Sequence, residues 1–342
     1  MDVAELKSRL KSGNLCGWYI LSGEEDYLKK YYMSQIREAI ITDEVFAPFN
    51  HVAYDGADVN FADVAEAIKS PPMMSDYKLI EWRFASLDSL KEGERAALEE
   101  LFALKDEYSY AVFVIVTTAD GFDAGTAKKP SRYATKLAKG FDIINFPKST
   151  DAQLLAWLKK HFDAEGIAVD AATLNALLFR VGHSMEVLNN EVIKLACFAK
   201  ANGKTAINAR DVEEIASPTV ECDAFSLSNA VLERNLERAF VALSDLKQRR
   251  VEPYTVVAML ERTYSELTSV ALLLEEGKGA ADVETMLKFH PFKAKLYIGA
   301  AKKAGADRLS RSLTELCRID ASSKSGGITG YGVIEMFITQ NL

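Results

Sequence analysis

Cysteine is scarce in this chain: Cys16, Cys197, Cys222 and Cys317 are scattered over 342 residues without a C-x-x-C pair. That spacing excludes a disulfide framework and a cysteine zinc site, and leaves the four to act as small buried hydrophobes. Histidine is equally rare. His51, His161, His183 and His290 show no metal-pair spacing, and no G-x-S-x-G nucleophile motif accompanies them, so no catalytic residue, metal or cofactor is expected. No apolar run approaches the roughly 18 residues of a membrane span. The first residues, MDVAELK, lack a basic region followed by an apolar one, which predicts a cytoplasmic protein without membrane contact. An excess of positive charge is missing too. With 41 basic against 49 acidic residues and a net charge of −8, the chain is not a nonspecific DNA binder acting alone, and any nucleic-acid contact should be local or shared with partners.

What is present is ordinary globular material, 49% hydrophobic and 26% charged, in a length that suits two or three domains. Short apolar runs rich in β-branched and aromatic residues occur at 18–22, 51–54, 78–83, 110–117 and 141–146, and their near-continuous apolarity predicts strands buried on both faces. Helical segments at 27–41, 61–68 and 91–102 alternate with them, which predicts a mostly parallel, doubly wound α/β sheet. The turn-rich stretch 120–132 reads as a mobile surface loop. From residue 151 onward the pattern is helical. Segments at 151–165, 170–181, 184–201 and 208–217 make a small bundle, 217–219 reads as a linker, and helices follow at 225–233, 236–248, 253–276, 282–286, 291–304 and 307–322.

The stretch WYILSGEEDYLKK over 18–30 has the layout of a phosphate-binding loop without its chemistry. The working pattern is G-x-x-x-x-G-K-[ST]. Counted from Gly23, Leu28 stands at the second glycine, Lys29 at the lysine, and Lys30 at the hydroxyl residue. Glu24, Glu25 and Asp26 would repel a triphosphate, and they favour a helix N-terminus. Nucleotide binding is therefore not expected.

Two other places stand out. Ser70 to Lys78 (SPPMMSDYK) separates a helix from a strand, and Pro71 and Pro72 stop the helix. Met73 and Met74 on that turn could fill gaps in a core or plug a pocket on a partner, and the residues alone favour the core. In VGHSMEVLNNE over 181–191, the position three residues after Gly182 is Met185, where ATPases of the AAA+ class carry an arginine. A helix start capped by Ser184 explains that segment without nucleotide chemistry. The basic groups Lys128/Lys129, Lys247 to Arg250 and Lys293/Lys302/Lys303 are too small to outline a DNA footprint. Arg132 could serve as an arginine finger toward a neighbour's nucleotide.

Taken in order, these pieces resemble the delta-subunit family of the bacterial DNA polymerase III clamp loader. The resemblance rests on YILSGEEDYL (19–28), PMMSDYKLI (72–80), Val181-Gly182 with Leu188 to Leu195, FSLSNA (225–230), KFHPFKAK (288–295), and Asp320 to Lys324 followed by Glu335. It implies a degenerate AAA+ sheet domain over 1–148, a helical lid over 149–217 and a helical collar over 218–342. It also implies a non-catalytic subunit of the polymerase holoenzyme that binds the ring-shaped sliding clamp and helps to open it. Its expected partners are ATPase and delta-prime subunits in a five-membered ring, with primer-template DNA in the assembled complex. The family's clamp-binding pair maps onto Met73 and Met74, with Pro72 just ahead, and this reverses the preference for a core role. Three other readings compete: a true AAA+ ATPase with an atypical site, a helical nucleic-acid binder, and a delta-prime-like stator, whose zinc cysteines and Ser-Arg-Cys finger the sequence lacks.

Overall fold

Five apolar runs form one parallel sheet in the computed structural model, which describes residues 1–56, 59–126, 129–325 and 330–341. The strands are β1 (Trp18–Ser22), β2 (His51–Asp55), β3 (Lys78–Ala85), β4 (Ala111–Thr117) and, after the two-residue ribbon of β5 (Gly125–Thr126) with β6 (Lys129–Pro130), β7 (Asp142–Asn145). Their order is β2-β3-β4-β1-β7, with every neighbour parallel. Lys128 and the glycines at 326 and 327 lie outside the described residues.

Alternation along each strand divides the side chains between two cores. Trp18, Ile20, Ile80, Trp82, Phe113 and Ile115 face one side, whereas Tyr19, Leu21, Leu79, Val112, Val114 and Ile144 face the other. Both faces are covered by helices, which is why these strands read as unbroken apolar runs. On the second face lie α1 (Val3–Ser12) and α2 (Asp26–Ile40), contributing Leu6, Tyr32, Met33 and Ile36. A single turn, α3 (Ala47–Asn50), precedes β2. The first face is covered by α4 (Phe61–Lys69), α5 (Glu92–Glu100) and α6 (Arg132–Leu137) through Phe61, Ile68, Leu98 and Leu137. Chain contacts delimit this unit at residues 1–149 and a second at 150–342.

Two expectations need correction. Residues 120–126 of the expected surface loop are anchored: Phe122 is buried, its ring meets Tyr133 edge-on, and the Asp123 N–H donates to Asp88 at 2.7 Å. An aromatic residue between turn signals anchors the segment. Of the four cysteines only Cys222 is buried, and burial pushes its thiol up to about 11. Cys16 and Cys317 are exposed, their thiols donating to the Ser109 carbonyl at 3.2 Å and to Glu261 at 3.1 Å; Cys197 is exposed on a helix.

One buried carboxylate is placed for a measurable effect. Glu81, on β3, accepts from Arg37 at 2.8 Å and lies 2.9 Å from His51 Nε2. Burial alone would raise its pKa, but the hydrogen bonds of His51 and Arg37 and the Arg37 charge outweigh this and hold the carboxyl below its ordinary range. A depressed native pKa adds stability that is complete above the unfolded value, about 4.3, and is lost as pH falls through the native one. Thermal melting of the wild type should therefore fall more steeply below about pH 4.3 than that of Glu81→Gln, whose amide does not titrate. Parallel acid limbs would contradict the assignment.

The second unit is helical. Its first part is α7 (Asp151–Ala164), α8 (Ala171–Val181), α9 (Met185–Ala201) and α10 (Ala209–Ile215), tied by a two-residue parallel pair, β8 (Ala168–Val169) with β9 (Ala206–Ile207). Thr150, Asp170, Ser184 and Asn208 cap these helices with their side chains, as their residue types allow. There follow α11 (Val220–Leu232), α12 (Leu236–Gln248), α13 (Pro253–Glu275), α14 (Ala280–Leu287), α15 (Pro291–Ala304), α16 (Ala306–Lys324) and α17 (Tyr331–Asn341), around a core that includes Leu227, Leu243, Tyr264, Leu267 and Phe337.

The segment 217–219 is pinned and is not a free linker. The Ser217 N–H donates to Glu191 at 3.3 Å, the Thr219 N–H to the Arg180 carbonyl at 2.8 Å, and Thr219 caps α11 five residues before the expected start. Several of the basic groups are locally neutralised. Lys247 pairs with Glu335, Arg249 with Asp223, Lys303 with Glu233, and Lys293 with Glu266 at 2.7 Å while lying over the Phe289 and Tyr297 rings. Among the described residues no helix is long and apolar enough to cross a membrane.

Candidate functional site

The carboxyl end of β1 leads into the loop that the sequence marks as a phosphate cradle. Gly23 has φ +102°, and a Cβ there would lie 2.3 Å from the Phe146 carbonyl oxygen, so only glycine fits. The loop is sewn to the chain leaving β7: the Phe146 N–H donates to Ser22 at 2.7 Å, and the Glu25 N–H donates back to Phe146 at 3.0 Å.

Lys29 closes it. Its side chain is 1% exposed, and its ammonium donates to the carbonyls of Gly23 and Thr117, both at 2.7 Å, and to Asp26 at 2.8 Å. An ammonium has three N–H bonds, and these three acceptors use them all. Glu25 is buried at the N-cap of α2, and burial pushes its carboxyl above the ordinary range. Leu28 is half-buried against the core, and Lys30 is exposed. A triphosphate needs a free ammonium and open backbone N–H groups. This loop presents a lysine bonded to three acceptors, an engaged N–H at Glu25 and carboxylates.

The other feature lies at the opposite end of the same sheet, where the strands begin. There the turn 70–77 precedes β3. Pro72 is half-buried, Met73 is 44% exposed and Met74 is 83% exposed. Met74 adopts φ +53°, a left-handed conformation that costs a side-chain-bearing residue roughly 1–2 kcal/mol.

The turn is held from below. Asn50, buried at the end of α3, donates its amide to the Met73 carbonyl at 2.7 Å and accepts the Met73 N–H at 2.7 Å. Ser75 adds hydrogen bonds to the carbonyls of Ile40 and Tyr77. Because backbone groups of Met73 are satisfied by a buried side chain, its thioether and that of Met74 stay outside. The core role favoured by residue type alone is thereby overturned. Asn50 was not singled out from sequence, since 23 residues separate it from Met73 and no local pattern links them.

Other sequence candidates are dispersed. Met185 is the first residue of α9, in the second unit, where it is buried in the helical core. Arg132 begins α6 and is exposed. His51 supports Glu81, His161 lies 2.8 Å from the Trp157 carbonyl, His183 lies 3.0 Å from Asp151, and His290 accepts from the Phe292 N–H. Among the described residues no group of three or more His, Cys, Asp or Glu could hold a metal ion.

An α/β domain with the strand order of a P-loop ATPase, the lysine of its loop bonded within the domain, and a predominantly helical unit that follows it in sequence define an AAA+-like fold. Residues 19–138 match the sequence model of the DNA polymerase III delta subunit, and residues 221–341 match that of its C-terminal domain. This chain belongs to the DNA polymerase III delta-subunit family. The DNA polymerase III subunit delta of Bacillus subtilis is 24% identical over 349 aligned residues, which cover 99% of this chain and 97% of the relative. A probable DNA polymerase III subunit delta of Aquifex aeolicus is 24% identical over 319, covering 90% and 85%. The solved structure of the Bacillus subtilis DNA clamp loader delta protein has the same fold, with a TM-score of 0.58 at 20% identity and 99% of each chain covered.

Proposed function

We propose that this chain is the clamp-opening delta subunit of a DNA polymerase III clamp loader, and that it binds the sliding clamp through Pro72, Met73 and Met74. The observation that carries this reading is the pair of exposed methionines on a turn held by Asn50, one of them in a left-handed conformation. Methionine suits the task, because its flexible thioether fills irregular apolar pockets. Residues 1–148 would act as the clamp-binding domain, 149–217 as the lid and 218–342 as the collar that joins ATPase and delta-prime subunits in a five-membered ring. Primer-template DNA would be met only in that assembly, in the cytoplasm.

The chain itself neither binds nor hydrolyses ATP in this proposal, a view supported by the committed Lys29 ammonium. Opening would come from differential binding. The turn holds a clamp conformation that a closed interface cannot adopt, so contact free energy shifts the population of rings toward open ones. The test is unloading. Added without nucleotide to clamps preloaded on nicked circular DNA, the chain should speed their release. Binding without faster release would contradict the opening role and leave only attachment.

A further inference from the structure

The methionine turn is not the only apolar feature at the amino edge of the sheet. Phe49, the residue before Asn50 on α3, is 53% exposed, and Val45 just upstream is 73% exposed. Asn50 fixes how far they lie from the turn. An asparagine amide reaches less than about 4 Å from its Cα, and Cα atoms are about 3.8 Å apart along the chain. With the 2.7 Å hydrogen bonds to Met73, the Phe49 Cα lies within about 10 Å of the Met73 backbone. A standard interface covers about 800 Å² on each partner, a disc of about 16 Å radius. A partner of that size centred on Met73 and Met74 therefore extends far enough to reach Phe49. Asp43, Glu44 and Asp76, all exposed, flank the two segments in sequence.

We infer that Phe49 is a third anchor of the clamp-binding surface, and that the clamp presents to it an apolar pocket with a basic rim. This inference rests on the clamp-binding reading above. An exposed aromatic ring beside two methionines has the composition of an interface core, where aromatic side chains and methionine are enriched and charge is confined to the rim. Asn50 bonds both segments into one body, so Phe49 and Met73 dock together without ordering a second loop.

The test uses the full chain and the cognate clamp, with Phe49→Ala compared against Phe84→Ala. Phe84 is 64% exposed at the carboxyl end of β3, the far edge of the sheet. Phe49→Ala should weaken binding by about tenfold or more, with melting unchanged, while Phe84→Ala stays within about twofold. If Phe49→Ala binds like wild type while Met73→Ala/Met74→Ala does not bind, Phe49 is outside the surface and the clamp-binding reading stands. Equal weakening by both phenylalanine variants also overturns the inference, since the effect would then follow general surface apolarity. No binding by the wild-type chain overturns the inference and the reading together.

Discussion

Replacing Met73 and Met74 together by alanine should weaken clamp binding by about 100-fold while leaving the fold unchanged. Fully burying an exposed methionine side chain contributes about 1.5–3 kcal/mol, so this pair, 44% and 83% exposed in the free chain, contributes about 2–4 kcal/mol before ordering costs. A factor of ten corresponds to 1.4 kcal/mol, so the middle of that range is about two decades. The ordering cost is small in this case because Asn50 already holds the Met73 backbone at both its N–H and its carbonyl. Stability should change by no more than about 0.5 kcal/mol, since both side chains are exposed in the free chain. Calorimetric titration and a urea melt of the same preparation separate the two effects. Unchanged affinity with an intact melt would remove the turn from the clamp-binding surface.

The second large effect is at Lys29, where a nucleotide site and a structural site respond in opposite ways. In a working phosphate loop the lysine serves the ligand, and its loss spares the apo fold. In this chain the ammonium satisfies the carbonyls of Gly23 and Thr117 inside the domain. Lys29→Met keeps most of the side-chain volume and leaves both carbonyls without a donor. An unsatisfied buried group costs about 1–3 kcal/mol, so with two such carbonyls the variant should lose about 2–6 kcal/mol in urea unfolding. Wild-type melting should show no saturable rise with ATP and magnesium. A fully stable variant, or a wild type stabilised by ATP, would contradict a loop closed by its own lysine.

The sheet was legible because strands buried on both faces leave a dense apolar record: the run 18–22 coincides with β1, and the other four strands fall within two residues of their runs at each end. The helices at 236–248 and 291–304 were bounded by their own signals, Asn235 as a cap and Pro291 at the first position. What escaped left weak local marks. α1 buries only Leu6, α3 is one turn long, and the start of α11 depends on Thr219 accepting the Cys222 N–H. The loop's departure from the phosphate-binding pattern was readable in Leu28, Lys30 and the carboxylates. The inward turn of Lys29 was not, since it depends on Thr117, 88 residues away. The methionines show the same limit. Residue type favoured a core position and the family resemblance an exposed one; the Asn50 contact that holds the turn was visible only in the structure.

The most direct test is titration of the purified chain against its cognate sliding clamp without nucleotide. Binding at nanomolar to low micromolar Kd, lost with Met73→Ala/Met74→Ala, is the result expected of an exposed, preorganised turn that needs no ATP. No heat and no complex from a well-folded chain would contradict clamp binding, and would make a stator within the same assembly the better reading.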